Sequence, residues 1–312
     1  MTPHEHAQIS YGQQWKALIS KKINILKNYV TYKPDCAGRY ATIEQFGDLD
    51  LEEKTARFEE KAAVELPTAR VFIFPKSFER TVHFDEDDGW KLNRIGVPMP
   101  ESAKRLMEAG QRTMEDITVD AILGNATIGN GADEAMTTEA LPAGQIVAAD
   151  LESSGTNTNL TRAKILEAIR IFMDNDAWGH GTDENEALCM AVTPKALQNL
   201  WTDTAVTSSD FRSFAGSRPY DKGMIEEFLG VKFLVSSRFS RHLNGNIQSC
   251  PMWLKSKVTY GDWQKASTRV WNDPANGSDN IRFKFRAGAV REEAKGVVNV
   301  LADITADSPA NP

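Results

Sequence analysis

An α+β fold is predicted by three features of this 312-residue chain. Residues 98–125 carry one long helix signal, residues 160–270 alternate helix and strand patterns, and strand patterns at 70–84 and 281–301 lie outside both. A chain of this length buries one large core or two modest ones, so two lobes with extensions are expected.

Bulk chemistry narrows the class. Hydrophobic residues make up 41% and charged residues 25%, ordinary for a soluble protein. No apolar run reaches the ~18 residues of a membrane span, so no membrane partner is expected. The net charge of −7 argues against general affinity for nucleic-acid phosphates, which needs clustered Lys and Arg. Cys36, Cys189 and Cys250 are odd in number and lack a C-x-x-C spacing, indicating neither a disulfide framework nor a zinc site. The first residues, MTPHEHAQISYGQQWK, have no basic flank before an apolar core, so no secretory signal is expected.

In chain order, residues 1–46 read as a polar arm with one amphipathic run, Trp15, Leu18, Ile19, Ile23 and Leu26. Residues 47–91 hold twelve acidic and seven basic side chains, a net −5 of the total −7. That is too charged for a core. Within it, RVFIF at 70–74 and TVHF at 81–84 read as a two-stranded excursion that rests on another surface, because an isolated hairpin is marginal in water.

The helix of 98–125, PMPESAKRLMEAGQRTMEDITVDAILGN, is delimited at both ends. Pro100 suits the first turn, Glu101 the positive end of the dipole, and Gly124-Asn125 supplies a stop. Ala103, Leu106, Met107, Gly110, Met114, Ile117 and Ala121 form an apolar stripe. Glu101/Arg105, Glu108/Arg112 and Arg112/Asp116 pair at i,i+4 on what is predicted to be the wet face. At ~1.5 Å per residue the rod spans roughly 35 Å. Gly110 lowers helix propensity by about 1 kcal/mol, and its place in the stripe predicts close packing there.

Residues 126–159 read as an irregular loop with a short strand at 145–148. A second helix covers 160–174, capped at Asn159 or Thr161, with Ile165, Ile169, Phe172 and Met173 inward and Arg162, Lys164, Glu167 and Arg170 outward. The unbroken apolar run 187–192 reads as a strand covered on both sides. Thr193-Pro194 opens a short helix ending at Trp201, and strands follow at 230–236 and 252–260. Residues 280–304 read as a strand pair: Ile281, Phe283 and Phe285 alternate with Arg282, Lys284 and Arg286, and an apolar run follows at 297–301.

No segment forms a catalytic, cofactor or metal constellation. The glycines of 124–131 lack the Lys-Ser/Thr of a phosphate loop. Asp174-x-Asp176-x-Trp178 starts like a calcium loop, but Trp178 fills a ligand position and Asn185 stands where a bidentate Glu is required. His4 and His6 have no third ligand on a rigid element. His83, His180 and His242 accompany no nucleophile elbow or Cys/His pair, and the acidic run 85–88 reads as a solvated turn. The expectation is no enzyme and no cofactor.

An arm, a charged excursion, one long helix, an α/β lobe and returning C-terminal strands follow in an order that resembles the HK97-type major capsid proteins of tailed double-stranded DNA phages. The resemblance covers most of the chain. It rests on ELPTARVFIFPKSFERTVHFDEDD running into PESAKRLMEAGQRTMEDITVDAILGNA, on LTRAKILEAIRIFMDNDA with ALCMAVTPKALQNLW, and on FRAGAVREEAKGVVNVLADIT. It implies an N-terminal arm (1–46), an extended E-loop (47–92), a P domain with the spine helix (93–158), an α/β A domain (159–270) and C-terminal strands returning to the P domain (271–312). It further implies hexamers and pentamers closing into an icosahedral virion shell, assembled in the host cytoplasm around double-stranded DNA without sequence-specific binding.

A portal and a decoration protein are implied partners. Some family members carry an N-terminal scaffolding segment of about a hundred residues; only some 46 precede the excursion here, so a scaffold is expected to be a separate protein. Lys54, Lys61, Lys76 and Lys91 lie where covalently cross-linked members use a lysine, but nothing marks a partner Asn. For the subunit interface the expected residues are Arg70, Val71, Ile73, Lys76, Arg80, Val82 and Phe84 of the excursion, with Val71, Ile73, Val82 and Phe84 against a neighbour's spine helix or P domain and the excursion's carboxylates meeting basic groups such as Arg105, Arg112, Arg282 or Arg286. The rival readings are an encapsulin nanocompartment of the same fold and a soluble α/β enzyme with its site in 126–159.

Overall fold

A computed structural model describes residues 23–47, 49, 51, 53, 63–85, 99–129, 136–151, 155–179, 186–202 and 227–305. The chain divides into two compact units. One comprises Met1–Asn24, Lys76–Met114 and Trp263–Ala287; the other comprises Ile25–Pro75, Glu115–Asp262 and Gly288–Pro312.

The first unit holds strand β4 (Lys76–Asp85), the N-terminal half of helix α1 (Met99–Leu123), and the outer halves of two long strands, β13 (Val258–Asp273) and β14 (Ser278–Arg291). β4 runs antiparallel to β14, with Val82 opposite Ile281, Arg80 opposite Phe283 and Phe78 opposite Phe285. The two-residue period therefore gives this ribbon one face with Phe78, Arg80, Val82, Ile281, Phe283 and Phe285, and another with Ser77, Glu79, Thr81, Arg282, Lys284 and Arg286. Phe78 stacks on Phe285, with ring centroids 5.2 Å apart.

Gly110 explains itself here. A Cβ at that position would lie 2.4 Å from Cε1 of Phe283, whose ring is itself tilted against Phe285. The close approach expected from a glycine in the apolar stripe is this ring. Gly110→Val is expected to destabilise the subunit by about 1–3 kcal/mol through overpacking, despite leaving the helix backbone less floppy; urea unfolding of the subunit measures it.

The second unit carries two sheets. One has seven strands, its main order β7 (Ile146–Val147), β15 (Val297–Asp303), β12 (Ile247–Leu254), β8 (Leu188–Val192), β10 (Val231–Val235), β9 (Glu227–Phe228), with β11 (Leu243–Asn244) on β12. All five residues of β8 are buried, as an unbroken apolar run predicts. Helices α2 (Arg162–Asp174) and α3 (Pro194–Thr202) supply Ile165, Ile169, Phe172, Leu197 and their neighbours, and Leu160 just before α2 joins them, in one hydrophobic core with this sheet. Thr161 caps α2 by accepting from the Lys164 backbone N–H at 3.4 Å.

The other sheet has the order β2 (Ala41–Phe46), β3 (Thr68–Ile73), β5 (Ala126–Gly129), β6 (Met136–Glu139). A further short strand, β1 (Thr31–Lys33), lies parallel to β13 at Thr259–Gly261.

Several sequence expectations change. β3 and β4 do not pair with each other: β3 joins β2 and β5, and β4 joins β14. Only Phe74 and Pro75 separate them. A two-residue hairpin needs positive φ at its turn, which proline cannot supply, so the chain passes from one sheet to the next. The hairpin actually formed is β2–β3, and residues 41–46, read as arm, are its first strand. The arm's end is also anchored, with Leu26 fully buried and the Tyr29 carbonyl accepting from the Trp253 indole at 2.9 Å.

Residues 252–260 are not one strand but the meeting of β12 and β13, joined by a 3-10 turn at Lys255–Lys257. The two strands expected to pair near the C-terminus lie in different sheets, and β15 enters the sheet of β12 and β8. Its alternate residues Val298, Val300 and Ala302 are fully buried there. The glycine-rich stretch after Gly124 is the strand β5 as far as Gly129.

Helix α1 forms with the expected bounds, but its buried face is turned from the expected stripe. Leu106, Glu108, Gly110, Glu115, Thr118, Val119 and Ile122 are buried, while Met107 is exposed. Glu108, expected on the wet face, pairs with Arg105 at 3.0 Å. Asp116 pairs not with Arg112 but with Arg238 and Arg241 of the 3-10 segment Ser237–His242. On α2, Lys164 is fully buried and donates to the carbonyls of Ala149 (2.8 Å), Thr158 (2.6 Å) and Leu301 (3.1 Å). A helical pattern alone cannot show that three carbonyls wait on the inner side for an ammonium.

Candidate assembly surface

Nothing among the described residues is arranged for catalysis. No group of three His, Cys, Asp or Glu side chains there could hold a metal. All three cysteines are buried free thiols, and burial pushes Cys189 and Cys250 up to about 12, which keeps them from acting as thiolates. His83 hydrogen-bonds Asn280, and His242 faces Asp120 at 3.2 Å. His4, His6 and His180 fall outside the described residues. Asp174 is held by Arg170, and Asp176 sits in a turn at φ 54°. In 126–159, where the enzyme reading placed a site, the chain forms β5, β6 and β7, and the Ala149 and Thr158 carbonyls hold Lys164.

What the surface offers instead is contact area. β2 and β3 run antiparallel from Ala41 opposite Ile73 to Phe46 opposite Thr68, and the ribbon closes with Gly47 N–H donating to the Pro67 carbonyl at 2.8 Å. Beyond that closure the connector presents apolar side chains to solvent. Phe46 is 71% exposed, Leu51 100% and Val64 74%, with Leu49 and Leu66 also exposed. Scattered surface apolar residues need no account, but Phe46 at the end of β2 and Leu49, Leu51, Val64 and Leu66 of the connector are all exposed within one stretch of chain that also carries Glu53 and Glu65.

The residues expected at an interface divide by position. Val71 and Ile73 are fully buried inside this subunit, so they support the ribbon and cannot touch a neighbour. Arg70 pairs with Glu44 across the ribbon at 2.8 Å. Val82 and Phe84 are half-buried and Lys76 and Arg80 exposed on β4. Arg105 is engaged with Glu108; Arg112 is half-buried on α1. Arg282 lies 5.8 Å from the Trp271 ring and Arg286 donates to Ser77 Oγ at 2.8 Å, both on the polar ribbon face. Lys54, Lys61 and Lys91 lie outside the described residues. Strand patterns do not register the connector's apolar residues; the signal in the sequence is the placing of Phe46, Leu49, Leu51, Val64 and Leu66 around an acidic run.

Comparisons with known proteins agree on one architecture. The family model described as phage capsid protein matches residues 4–304. The cyanophage Pam1 capsid protein is similar at 12% identity and a TM-score of 0.72, covering 98% of this chain and 99% of that one. The capsid of cyanophage P-SCSP1u is similar at 14% identity and a TM-score of 0.69, over 99% and 96%. The head structure of Helicobacter pylori bacteriophage KHP40 is similar at 12% and 0.67, over 97% of each chain. Identities this low establish the fold, which is HK97-like. A comparison with curated proteins gives no match. With the family model spanning nearly its whole length, the chain belongs to the phage capsid protein family, as a major capsid protein that forms the phage shell.

Proposed function

We propose that this subunit assembles as hexamers and pentamers into an icosahedral shell around double-stranded DNA, and that the β2–β3 connector, residues 47–67, is its principal arm onto a neighbour. The observation that supports this most is the connector's chain of solvent-exposed apolar residues, Phe46, Leu51 and Val64 foremost. Leaving such side chains in water forgoes about 1.5–3 kcal/mol each, which a second subunit recovers by covering them. Arg282 and Arg286 of a neighbour's ribbon, with Arg112 of its helix, suit the carboxylates around those residues, and Lys76, Arg80, Val82 and Phe84 suit the rim of the same contact.

In domain terms, the arm ends before β2, the E-loop is the β2–β3 ribbon with its connector, and the P domain is α1 with the β4–β14–β13 ribbon. The A domain is the seven-stranded sheet with α2 and α3. The family and fold are structural and not enzymatic. A separate scaffolding protein, a portal, a decoration protein and assembly in the host cytoplasm complete the reading.

Electron microscopy of the purified protein, alone and from phage particles, tests it. Closed shells of six- and five-fold capsomers are expected, with packaged DNA in the particles. A protein that stays monomeric in every salt and crowding condition overturns the reading, and closed shells that never contain DNA point to a nanocompartment.

A further inference from the structure

We infer that the outer edge of β13, from Trp263 to Asp273, is a second subunit contact in which two copies of this chain add their strands to each other edge to edge. The inference rests on the shell reading above but on a different surface from the connector.

The edge is open. β1 covers β13 only from Thr259 to Gly261, and the last backbone bond on that side is Cys36 N–H to the Asp262 carbonyl at 2.9 Å. From Trp263 onward β13 has β14 on one side and, among the described residues, no strand on the other. Every residue from Gln264 to Val270 is exposed, on both faces of the strand. A long unpaired edge is a template for another strand. Natural edges are blunted with proline, bulges or charge, and here 263–273 has no proline. Only Lys265 and Arg269 carry positive charge, both on one face. The opposite face offers Gln264, Ala266, Thr268 and Val270, uncharged and in part β-branched.

Charge placement decides the partner and the register. A second copy of the same edge in antiparallel pairing makes a two-fold contact. Centring it on Ser267 sets Lys265 opposite Arg269 twice, and centring it on Arg269 sets that residue against itself; like charges directly opposed are unfavourable. Centring it on Thr268, the midpoint of the open edge, opposes no like charges and uses the whole edge. Lys265 then faces Trp271, an uncharged residue, of the other copy. Ser267 faces Arg269, Ala266 faces Val270, and Thr268 meets Thr268, a favourable cross-strand pair. The edge thus fits itself in one full-length register.

Thr268→Cys tests this in assembled particles. Thr268 is exposed and the three native cysteines are buried, so the variant folds and carries one accessible thiol. Oxidation, or a short thiol–thiol cross-linker, is expected to convert most of the variant into covalent dimers. Val270→Cys in the same register sits opposite Ala266, about 13 Å from its own copy at ~3.3 Å per residue, and is expected to give few dimers. Ala266→Cys mixed with Val270→Cys is expected to restore cross-linking. Closed shells in which Thr268→Cys does not cross-link, or in which Val270→Cys cross-links equally well, overturn the inference and leave the shell reading intact; absence of shells under all conditions overturns the shell reading itself. A cross-link from Thr268→Cys to another protein in phage particles, and none between copies, assigns the edge to that protein and also overturns it.

Discussion

Arg291→Met is expected to destabilise the subunit by about 2–4 kcal/mol. Arg291 ends β14 and is 1% exposed. Its guanidinium donates to the Ile122 carbonyl at 3.1 Å, the Gly124 carbonyl at 2.9 Å and the Glu139 carbonyl at 3.2 Å. The last carbonyls of a helix have no partner within it and carry the negative end of its dipole. One buried cation therefore closes the C-terminus of α1 and ties it to the end of β6. Burial pulls the group's proton affinity down, and the negative charge of Glu139 offsets part of that.

Methionine fills similar space but donates nothing. Each carbonyl left dry costs about 1–3 kcal/mol, while relief from burying a charge returns part of the sum. Arg291→Lys, with a charge but no planar fork, should fall between. Urea unfolding of the unassembled subunit, followed by tryptophan fluorescence, measures all three. A midpoint for Arg291→Met unchanged from the native chain would show that solvent satisfies those carbonyls.

Arg291 also shows where the sequence was legible and where it was not. The bounds of α1, the cap on α2 and the double-sided burial of β8 follow from spacing, capping chemistry and apolar runs, all local properties. Gly110 announced a close contact because a glycine inside an apolar stripe has few other reasons to be there. Pairing was different. Whether β3 meets β4 or β2 depends on Phe74-Pro75 being unable to turn, and on a partner strand, Ala41–Phe46, whose polar residues hide it in an arm. Lys164 and Glu108 read as surface charges because a helix pattern records only which face is apolar, and no local pattern marks Arg291 as buried. Such a pattern does not record carbonyls brought to that face by chain far away, such as Leu301 against Lys164. The interface residues divided for the same reason: β-branched Val71 and Ile73 looked like contact residues and are interior ones, whereas the exposed apolar side chains sit on a connector with no regular period.

Replacing residues 48–66 by Asn-Gly is expected to leave a folded subunit and to abolish shell formation. The Gly47 N–H already donates to the Pro67 carbonyl at the ribbon's end; with Pro67 also changed to Thr, which supplies the N–H that proline lacks, Asn-Gly closes a two-residue hairpin with the twist antiparallel strands need. β2 and β3 keep their whole register, and Val71 and Ile73 stay buried, so circular dichroism and the urea midpoint should change little. A cut through Thr68–Ile73 would instead remove the strand that β2 and β5 both pair with, and would unfold the subunit for reasons unrelated to assembly.

The shortened chain lacks Leu49, Leu51, Val64 and Leu66. Covering four such side chains is worth on the order of 5 kcal/mol or more before the costs of association. Exposed ion pairs at the same contact contribute only ~0–1 kcal/mol each and are screened by salt. The apolar part therefore dominates: moderate salt should slow assembly of the native chain, whereas loss of the connector should end it. Sedimentation and electron microscopy of the variant decide the matter. Normal shells would mean the connector is a solvated loop. An unfolded variant would mean it packs within its own subunit, and in either case the arm onto the neighbour must be sought on another surface.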